Sequence, residues 1–232
     1  PSTDEETDQY TLEYFSTCVQ PVPEIAILEA KKEVIKMSNI MNQMLDLFLK
    51  TFKDNKDITN SLSEAKNIES VSDQMQEQIS TYLAECTKHE LSFTSSKEAA
   101  AMIRITNELE SVGDSTLNLF LQIERLGGDL EFSDKMNNEI LILYNKVVEF
   151  IEWNSLFINN NIQTMNEQDL DKSIVYENEI DDIRNNLLDA SRERLTKGSN
   201  PKAELLFMDI TKHLEHIGDY SLNISQALEQ LN

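Results

Sequence analysis

The phrase LESVGDSTLNL at residues 109–119 has a close copy, LEHIGDYSLNI, at residues 214–224. Every matched position lies 105 residues further along the chain, and six of the eleven residues are identical. A phrase repeated at a fixed separation indicates a duplicated structural unit. The shared residues include a glutamate, an aspartate, a glycine and an asparagine, a mixture that suggests chemistry as well as packing.

Composition favours an all-α fold. The 232 residues contain only five glycines and four prolines, and 40% of them are hydrophobic. Because helix breakers are rare and alternating β-branched sequence is scarce, long helices are expected. A chain of this length can bury a sizeable core. We therefore predict two tandem repeats of a three-helix bundle.

The first predicted helix covers about 24–53, where apolar residues recur at alternating steps of three and four. Its stripe consists of Ile27, Ala30, Val34, Met37, Met41, Met44 and Phe48. The second begins near Thr59 or Ser61, where Glu64 completes a capping box, and ends near His89. Its inward residues are Ala65, Ile68, Met75, Ile79 and Tyr82.

The third predicted helix carries the first copy of the repeated phrase. It begins with a capping box formed by Ser95 and Glu98, and it continues to Arg125. The glycine pair at 127–128 then supplies a stop signal. These three helices complete the first repeat.

The second repeat is predicted to contain the remaining three helices. The fourth covers about 133–161, with Met136, Ile140, Leu143, Val147, Phe150 and Phe157 as its stripe. Asn166 caps the fifth, which extends to Gly198, and Asn200 followed by Pro201 starts the sixth. Short loops make neighbouring helices antiparallel. The predicted domains are therefore a linker at 1–23 and repeats at 24–128 and 129–232.

The charge of the chain limits its partners. The formal net charge is −22 at pH 7, and nucleic-acid binding depends on Lys and Arg neutralising phosphates, so no nucleic-acid partner is expected. Cations or a basic protein surface fit this charge better. Two cysteines, Cys18 and Cys86, make no disulfide framework. No apolar run approaches the roughly 18 residues of a membrane span, so the chain as given is expected to be soluble.

Pairs of the form Glu-x-x-x-Asp occur on four of the six predicted helices, and each pair lies on one helix face. Like charges at this spacing cost about 0.2–0.5 kcal/mol when exposed, and more when buried unless a proton or a cation neutralises them. The pairs are Glu69/Asp73, Glu110/Asp114, Glu177/Asp181 and Glu215/Asp219, with Asn118 and Asn223 four residues after the second and fourth pairs. Carboxylates that converge in a helical core hold hard metal ions such as Mg, Mn, Ca or iron.

Two features bear on whether these acids converge. Glu177 and Asp181 lie on a heptad line that joins Ile174 to Leu188 and Leu195, which predicts that they point toward a neighbouring helix. Glycines Gly113 and Gly218 lie between the acids of the repeated phrase, where glycine costs about 1 kcal/mol relative to alanine. We expect another helix to approach closely at each glycine.

Other interpretations stand beside a metal site. With 42 acidic residues, a single pair at this spacing is usually a solvated helix face. A metal-free scaffold whose acidic face binds a basic partner is a second hypothesis. A ferritin-like diiron oxidase requires Glu-x-x-His, and none of His89, His213 and His216 has a Glu three residues earlier. We expect no enzyme, histidines that pack beside Glu215, and Trp153 packed between the repeats.

At these residues the sequence resembles the PhoU family, regulators of bacterial phosphate uptake built from two three-helix repeats. The family carries E(D)-x-x-x-D motifs on the second and third helices of each repeat. Here they read ESVSD at 69–73, LESVGDSTLN at 109–118, ENEID at 177–181 and LEHIGDYSLN at 214–223. The resemblance covers roughly 24–232. The residue after the first Glu of the third-helix motif, commonly Arg in the family, is Ser111 or His216 here.

The resemblance implies a metal-ligand role for eight acids and supporting roles for four further residues. Iron, zinc, manganese or magnesium, divalent or trivalent, is the implied cofactor. The implied ligands are Glu69, Asp73, Glu110, Asp114, Glu177, Asp181, Glu215 and Asp219, supported by Asn118, Asn223, Gly113 and Gly218.

The segment LEYFSTCVQPVPEIAILEAKKEVIKMS at residues 12–38 resembles the junction that follows the membrane helices of bacterial sodium/phosphate cotransporters with a C-terminal PhoU-like domain. This resemblance implies a regulatory domain on the cytoplasmic side of the inner membrane, with 1–23 as a juxtamembrane linker and the missing part of the protein N-terminal to it. The implied partners are the transporter's own membrane domain or phosphate-signalling proteins, and a homodimer is also expected.

Overall fold

The computed structural model describes residues 11, 23–54, 57–88, 91–126 and 130–231. Six α-helices occupy most of these residues, and no β-strand occurs among them. The helices are α1 (Pro23–Asp54), α2 (Ile58–Cys86), α3 (Phe93–Glu124), α4 (Asp134–Asn159), α5 (Glu167–Thr196) and α6 (Pro201–Glu229). The prediction of an all-α fold is confirmed.

The apolar stripes form the core. All seven stripe residues predicted for the first helix are at most 4% exposed in α1. Five of the six predicted for the fourth are buried in α4, and Phe157 is half-buried. Helices of this kind are stabilised mainly by burying an apolar face rather than by helix propensity. The three- and four-residue spacing therefore identified the inward face of both helices.

The start signals of the second repeat are confirmed. Ser133 accepts a hydrogen bond from the backbone N–H of Met136, and Asn200 accepts one from Lys202 with Pro201 at the first helical position. Asn166 and Asp169 form a reciprocal capping box at the start of α5. Each cap satisfies a backbone N–H that has no partner within its helix.

The two capping boxes predicted in the first repeat are wrong. The N-cap of α2 is Asp57, whose φ of 57° is left-handed and whose side chain makes no capping bond, so Thr59, Ser61 and Glu64 lie within the helix or its first turn. At α3, Ser92 accepts the bond from the N–H of Ser95, 3.1 Å away, and the helix begins two residues before Ser95. Glu98, which was expected to complete that box, faces α1 instead. Its carboxylate accepts a hydrogen bond from the Lys31 ammonium at 2.8 Å.

Several predicted features fall outside the described residues. They are the 1–23 linker apart from residues 11 and 23, Cys18, His89 and the glycine pair at 127–128. Cys86, the last residue of α2, is buried and carries a free thiol.

Consecutive helices run antiparallel within each repeat, and the two repeats share one core. In repeat 1, Tyr82 near the end of α2 donates to Glu29 near the start of α1 at 2.8 Å. The repeats join where α3 packs against α6 and α1 against α4. At the second contact the Tyr144 hydroxyl donates to the Leu45 carbonyl oxygen at 2.9 Å.

Trp153 does not lie between the repeats as predicted. Its Nε1 donates to Ser173 at 3.1 Å, its ring meets Phe157, and the Lys172 ammonium lies 3.7 Å from the ring centroid. These contacts join α4 to α5 within repeat 2. The aromatic pattern could not show which of the neighbours of α4 the ring meets, because α4 packs against α1, α5 and α6.

None of the helices described here is both long enough and apolar enough to cross a lipid bilayer.

Candidate metal centre

Antiparallel packing of α2 and α3 brings the acids of repeat 1 together. Oxygens of Glu69, Asp73 and Asp114 all lie within 4.8 Å of one another. Glu69 is half-buried, whereas Asp73 and Asp114 are exposed at the mouth of the cluster. Two helices thus contribute three carboxylates to one small volume. We call these residues, with the adjoining Glu110, the repeat 1 cluster.

The electrostatics of the repeat 1 cluster favour a neutralising partner. Burial, followed by the charges of Asp73 and Asp114, raises the pKa of Glu69 to about 7. Burial and the charge of Asp114 also raise the pKa of Asp73 and the pKa of Glu110. For Glu110, a hydrogen bond from the Ser111 hydroxyl partly lowers the pKa again. Every charged group that raises the pKa of Glu69 is a carboxylate. A proton or a cation relieves this repulsion.

A close helix approach supports the repeat 1 cluster, as predicted. A Cβ at Gly113 would lie 3.1 Å from the Met41 sulfur of α1 and 3.6 Å from the Ser72 hydroxyl of α2. The Ser72 distance is an ordinary van der Waals contact, but the Met41 distance is tight, so any larger residue at this position would displace Met41. The glycine therefore lets α1 and α2 approach α3 beside Asp114.

In repeat 2 the acids of α6 lie with a histidine. Atoms of Glu215, His216 and Asp219 lie within 4.8 Å of one another, with His216 Nδ1 3.0 Å from Glu215 and 3.7 Å from Asp219. The expectation that histidines pack beside Glu215 is confirmed for His216, whereas His213 lies against the His216 ring, with centroids 6.5 Å apart. Burial and Glu215 raise the pKa of Asp219. We call these residues, with Glu177 and Asp181 of α5, the repeat 2 cluster.

An arginine that the sequence reasoning missed enters the repeat 2 cluster. Arg184 of α5 donates through Nη2 to Glu215, and the same nitrogen lies 3.7 Å from Asp181. The Glu215 hydrogen bond, opposed by burial, raises the pKa of the Arg184 guanidinium. The available signal was its spacing, because Arg184 follows Asp181 by three residues on one helix face.

Glu177 and Asp181 are half-buried, but neither belongs to the close triad of α6. Their charges still reach it, since burial, then Asp181, then Asp219 raise the pKa of Glu177. The heptad line drawn through Ile174 is wrong: Ile174 is 41% exposed, and the buried line of α5 contains Ile180 and Leu187. The acids therefore sit at the edge of the α5–α6 contact rather than at its centre.

The remaining predicted support residues behave differently from one another. Gly218 allows the close approach of α5, since a Cβ there would lie 3.0 Å from Ile180 Cδ1. Asn118 donates to the carbonyl oxygen of Asp114 in its own helix. Asn223 donates to Glu108 of the other repeat at 3.0 Å. Neither asparagine is described with a bond to a carboxylate of its own cluster.

The residues of the repeat 1 cluster fit a hard metal ion. They offer oxygen ligands only, those oxygens converge from two helices, and they repel one another. Oxygen-rich sites suit Mg, Mn, Ca or iron, whereas zinc favours nitrogen and sulfur ligands. The repeat 2 cluster offers a histidine nitrogen as well, but the Arg184 guanidinium already donates to Glu215.

Comparisons with known proteins agree with this architecture. The family model described as PhoU domain matches residues 34–121 and 157–228. A crystal structure of the phosphate transport system regulatory protein PhoU from Streptococcus pneumoniae is similar in fold, with a TM-score of 0.77 at 14% sequence identity. The match covers 90% of this chain and 96% of that one. A search among curated proteins finds no significant match. Because the family model matches one segment in each repeat and most of the chain, this protein belongs to the PhoU family.

Proposed function

We propose that this chain is a non-catalytic regulatory domain of phosphate uptake that binds a hard metal ion in its repeat 1 cluster. Family membership supports the regulatory role, and the convergence of Glu69, Asp73 and Asp114 within 4.8 Å carries the metal-binding part. When bound, such an ion supplies positive charge between α2 and α3. Iron, manganese and magnesium suit the oxygen ligands best, with zinc as a further candidate.

Repulsion between carboxylates links metal occupancy of the repeat 1 cluster to the packing of α2 against α3. Without a cation, Glu69 and Asp73 of α2 repel Asp114 of α3, and this repulsion opposes the packing that Gly113 allows. Neutralised, the same carboxylates let the two helices stay in register. The exposed surface that α2 and α3 present to a partner then depends on the occupancy of the cluster.

For the partner, we propose the membrane part of a sodium/phosphate cotransporter that carries this chain at its cytoplasmic C-terminal end. The resemblance of residues 12–38 to such a junction supports this attachment. Phosphate-signalling proteins are the other partners that the family suggests, and a homodimer is compatible with either. The net charge of −22 favours a basic contact surface on any of them.

Elemental analysis of the purified protein tests the metal-binding proposal. The wild type is compared with D73N/D114N and with D46N/D171N, a control that removes two equally exposed aspartates away from both clusters. We expect a stoichiometric metal in the wild type and the control, and its loss in D73N/D114N. Phosphate uptake by cells that carry each variant in the full-length protein should change only with D73N/D114N.

The metal-free scaffold is the alternative function. Its supporting observation is that Asp73 and Asp114 are exposed, as acids that contact a basic partner would be. Absence of metal from all three proteins after supplementation with iron, manganese and zinc, with their helical content intact, would favour the scaffold.

A further inference from the structure

The glycine of each cluster shows which residues of α2 and α5 occupy corresponding positions in the two repeats. Gly113 faces Ser72, and Gly218 faces Ile180. Ser72 and Ile180 are 108 residues apart, the same separation as the ESVSD and ENEID motifs. In this register Arg184 of repeat 2 corresponds to Gln76 of repeat 1.

The two corresponding residues act differently. The Gln76 side chain donates to Asn107 at 2.7 Å and makes no described bond to the repeat 1 cluster. Arg184 instead bonds Glu215 of α6 and lies 3.7 Å from Asp181 of α5. It therefore contacts one carboxylate from each of the two helices that form the repeat 2 cluster.

Both oxygens of Glu215 have nitrogen partners. Arg184 contacts Oε1, and His216 Nδ1 lies 3.0 Å from Oε2. The Glu215 side chain is only 9% exposed, so its charge is largely removed from water and needs these partners. A metal ion that took Glu215 as a ligand would have to displace the guanidinium from a charge-assisted hydrogen bond.

We infer that Arg184 takes the place of a metal ion in repeat 2, so that the repeat 2 cluster is closed by a cation of the protein and only the repeat 1 cluster is open to metal. This inference rests on the proposed function for repeat 1. The two repeats then have unequal roles: repeat 2 keeps one charge state, and repeat 1 alone responds to metal.

The deciding experiment uses a background in which repeat 1 is neutralised by E69Q, D73N and D114N. Manganese and zinc are titrated calorimetrically into this protein and into the same protein carrying R184Q, the residue that repeat 1 has at this position. We expect no binding with Arg184 and about one equivalent with R184Q. Binding in the presence of Arg184, or no binding after its removal, would overturn the inference.

The wild-type titration separates the inference from the proposed function. Metal bound only after R184Q, with none in repeat 1 of the wild type, would defeat the proposed function and sustain the inference. Circular dichroism verifies the fold of each variant. If R184Q does not fold, Q76R in the wild type decides the question, because an arginine at that position should abolish metal binding in repeat 1. Retained binding in a folded Q76R protein would overturn the inference.

Discussion

Glu204 shows what a single buried charge does in this bundle. It is 1% exposed on α6, where it accepts bonds from Ser191 at 2.6 Å and from Arg194 Nε at 2.8 Å. Arg194 also bonds Glu139 of α4 at 2.8 Å and lies over the Phe207 ring. One carboxylate thus connects α5 and α6 through a guanidinium that also reaches α4.

We predict that Glu204→Ala lowers the free energy of unfolding by about 2–4 kcal/mol, because it leaves a largely buried Arg194 short of a partner. Urea unfolding followed by circular dichroism measures the loss. Glu193→Ala is the matched control, since it removes an acid from an exposed pair with Lys197 and should change stability little. Equal losses in the two variants would show that the Glu204 network contributes nothing specific.

Glu69 gives the protein a dependence of stability on pH. Its pKa is raised in the folded state from 4.5 to about 7, so the folded protein holds a proton that the unfolded chain releases. A chelator keeps metal out of the cluster during this measurement. The contribution of Glu69 to the free energy of unfolding is then fully present below pH 4.5 and is lost as the pH rises through 7. Because Glu69 is half-exposed to water, the expected loss is about 1 kcal/mol.

Unfolding in urea at several pH values between 5 and 8 measures this effect. The slope should shrink in Glu69→Gln, which cannot ionise, and stay unchanged in the exposed-site control Glu64→Gln. A slope that is identical in wild type and Glu69→Gln would contradict the raised pKa. Added manganese should reverse the fall in the wild type if the repeat 1 cluster binds it.

At the scale of the helix, the two glycines of the repeated phrase differ in what they face. The atom nearest to a Cβ at Gly113 is the sulfur of Met41, at 3.1 Å, on a flexible side chain. At Gly218 it is Ile180, whose Cδ1 and Cγ2 lie at 3.0 and 3.2 Å on a stiff, β-branched side chain. The cost of an added methyl group depends on whether such a neighbour can move.

We predict that Gly113→Ala is close to neutral, because the gain of about 1 kcal/mol in helix propensity offsets the displacement of Met41. Gly218→Ala should destabilise the protein by about 1 kcal/mol or more, since Ile180 cannot move without disturbing the α5–α6 contact. Thermal unfolding of the two variants compares them directly. The double variant Gly218→Ala/Ile180→Val should recover part of the loss, and no recovery would place the cause elsewhere.

The helices themselves could be predicted well, and their starts less well. Apolar spacing located the buried faces of α1 and α4 because burial of one stripe is what stabilises such helices. The caps at Asn166 and Asn200 could be predicted because an asparagine side chain accepts well from the free backbone N–H groups at the start of a helix. The start of α3 was missed because Glu98, three residues after Ser95, indicated a capping box there, whereas Glu98 pairs with Lys31 of α1 and Ser92 caps the helix.

The candidate site was predicted in its residue types and only partly in its geometry. Helical spacing placed the acids on common faces, and the pairs on the second and third helices of each repeat indicated that these two helices could face one another. The sequence pattern could not show that Arg184 of α5 reaches Glu215 of α6, because that contact depends on how far the two helices are shifted along their axes relative to one another, which we call the helix height. The same dependence on helix height explains why Asn223 bonds Glu108 across the repeats rather than an acid of its own cluster.

For the whole molecule, the contacts between repeats matter as much as those within them. The Phe48 ring of α1 lies 5.5 Å from Phe120 of α3 and 5.9 Å from Tyr144 of α4, which places residues of both repeats in one aromatic cluster. A polar bond accompanies it, since the Asn42 amide of α1 donates to the Ser155 hydroxyl of α4 at 3.2 Å. Arg104 of α3 meets Gln226 of α6 at 2.9 Å.

Because neither repeat encloses its core alone, we predict that they unfold together. Calorimetry of the wild type should show one transition whose van't Hoff and calorimetric enthalpies agree. Tyr144→Ala removes a fully buried ring that contacts both repeats. It should lower the free energy of unfolding by about 3–5 kcal/mol, and unfolding should still occur in a single transition. Two separate transitions, with only one of them shifted by Tyr144→Ala, would mean that the repeats are independent domains, and the charge state of repeat 1 could then not reach repeat 2 through the shared core.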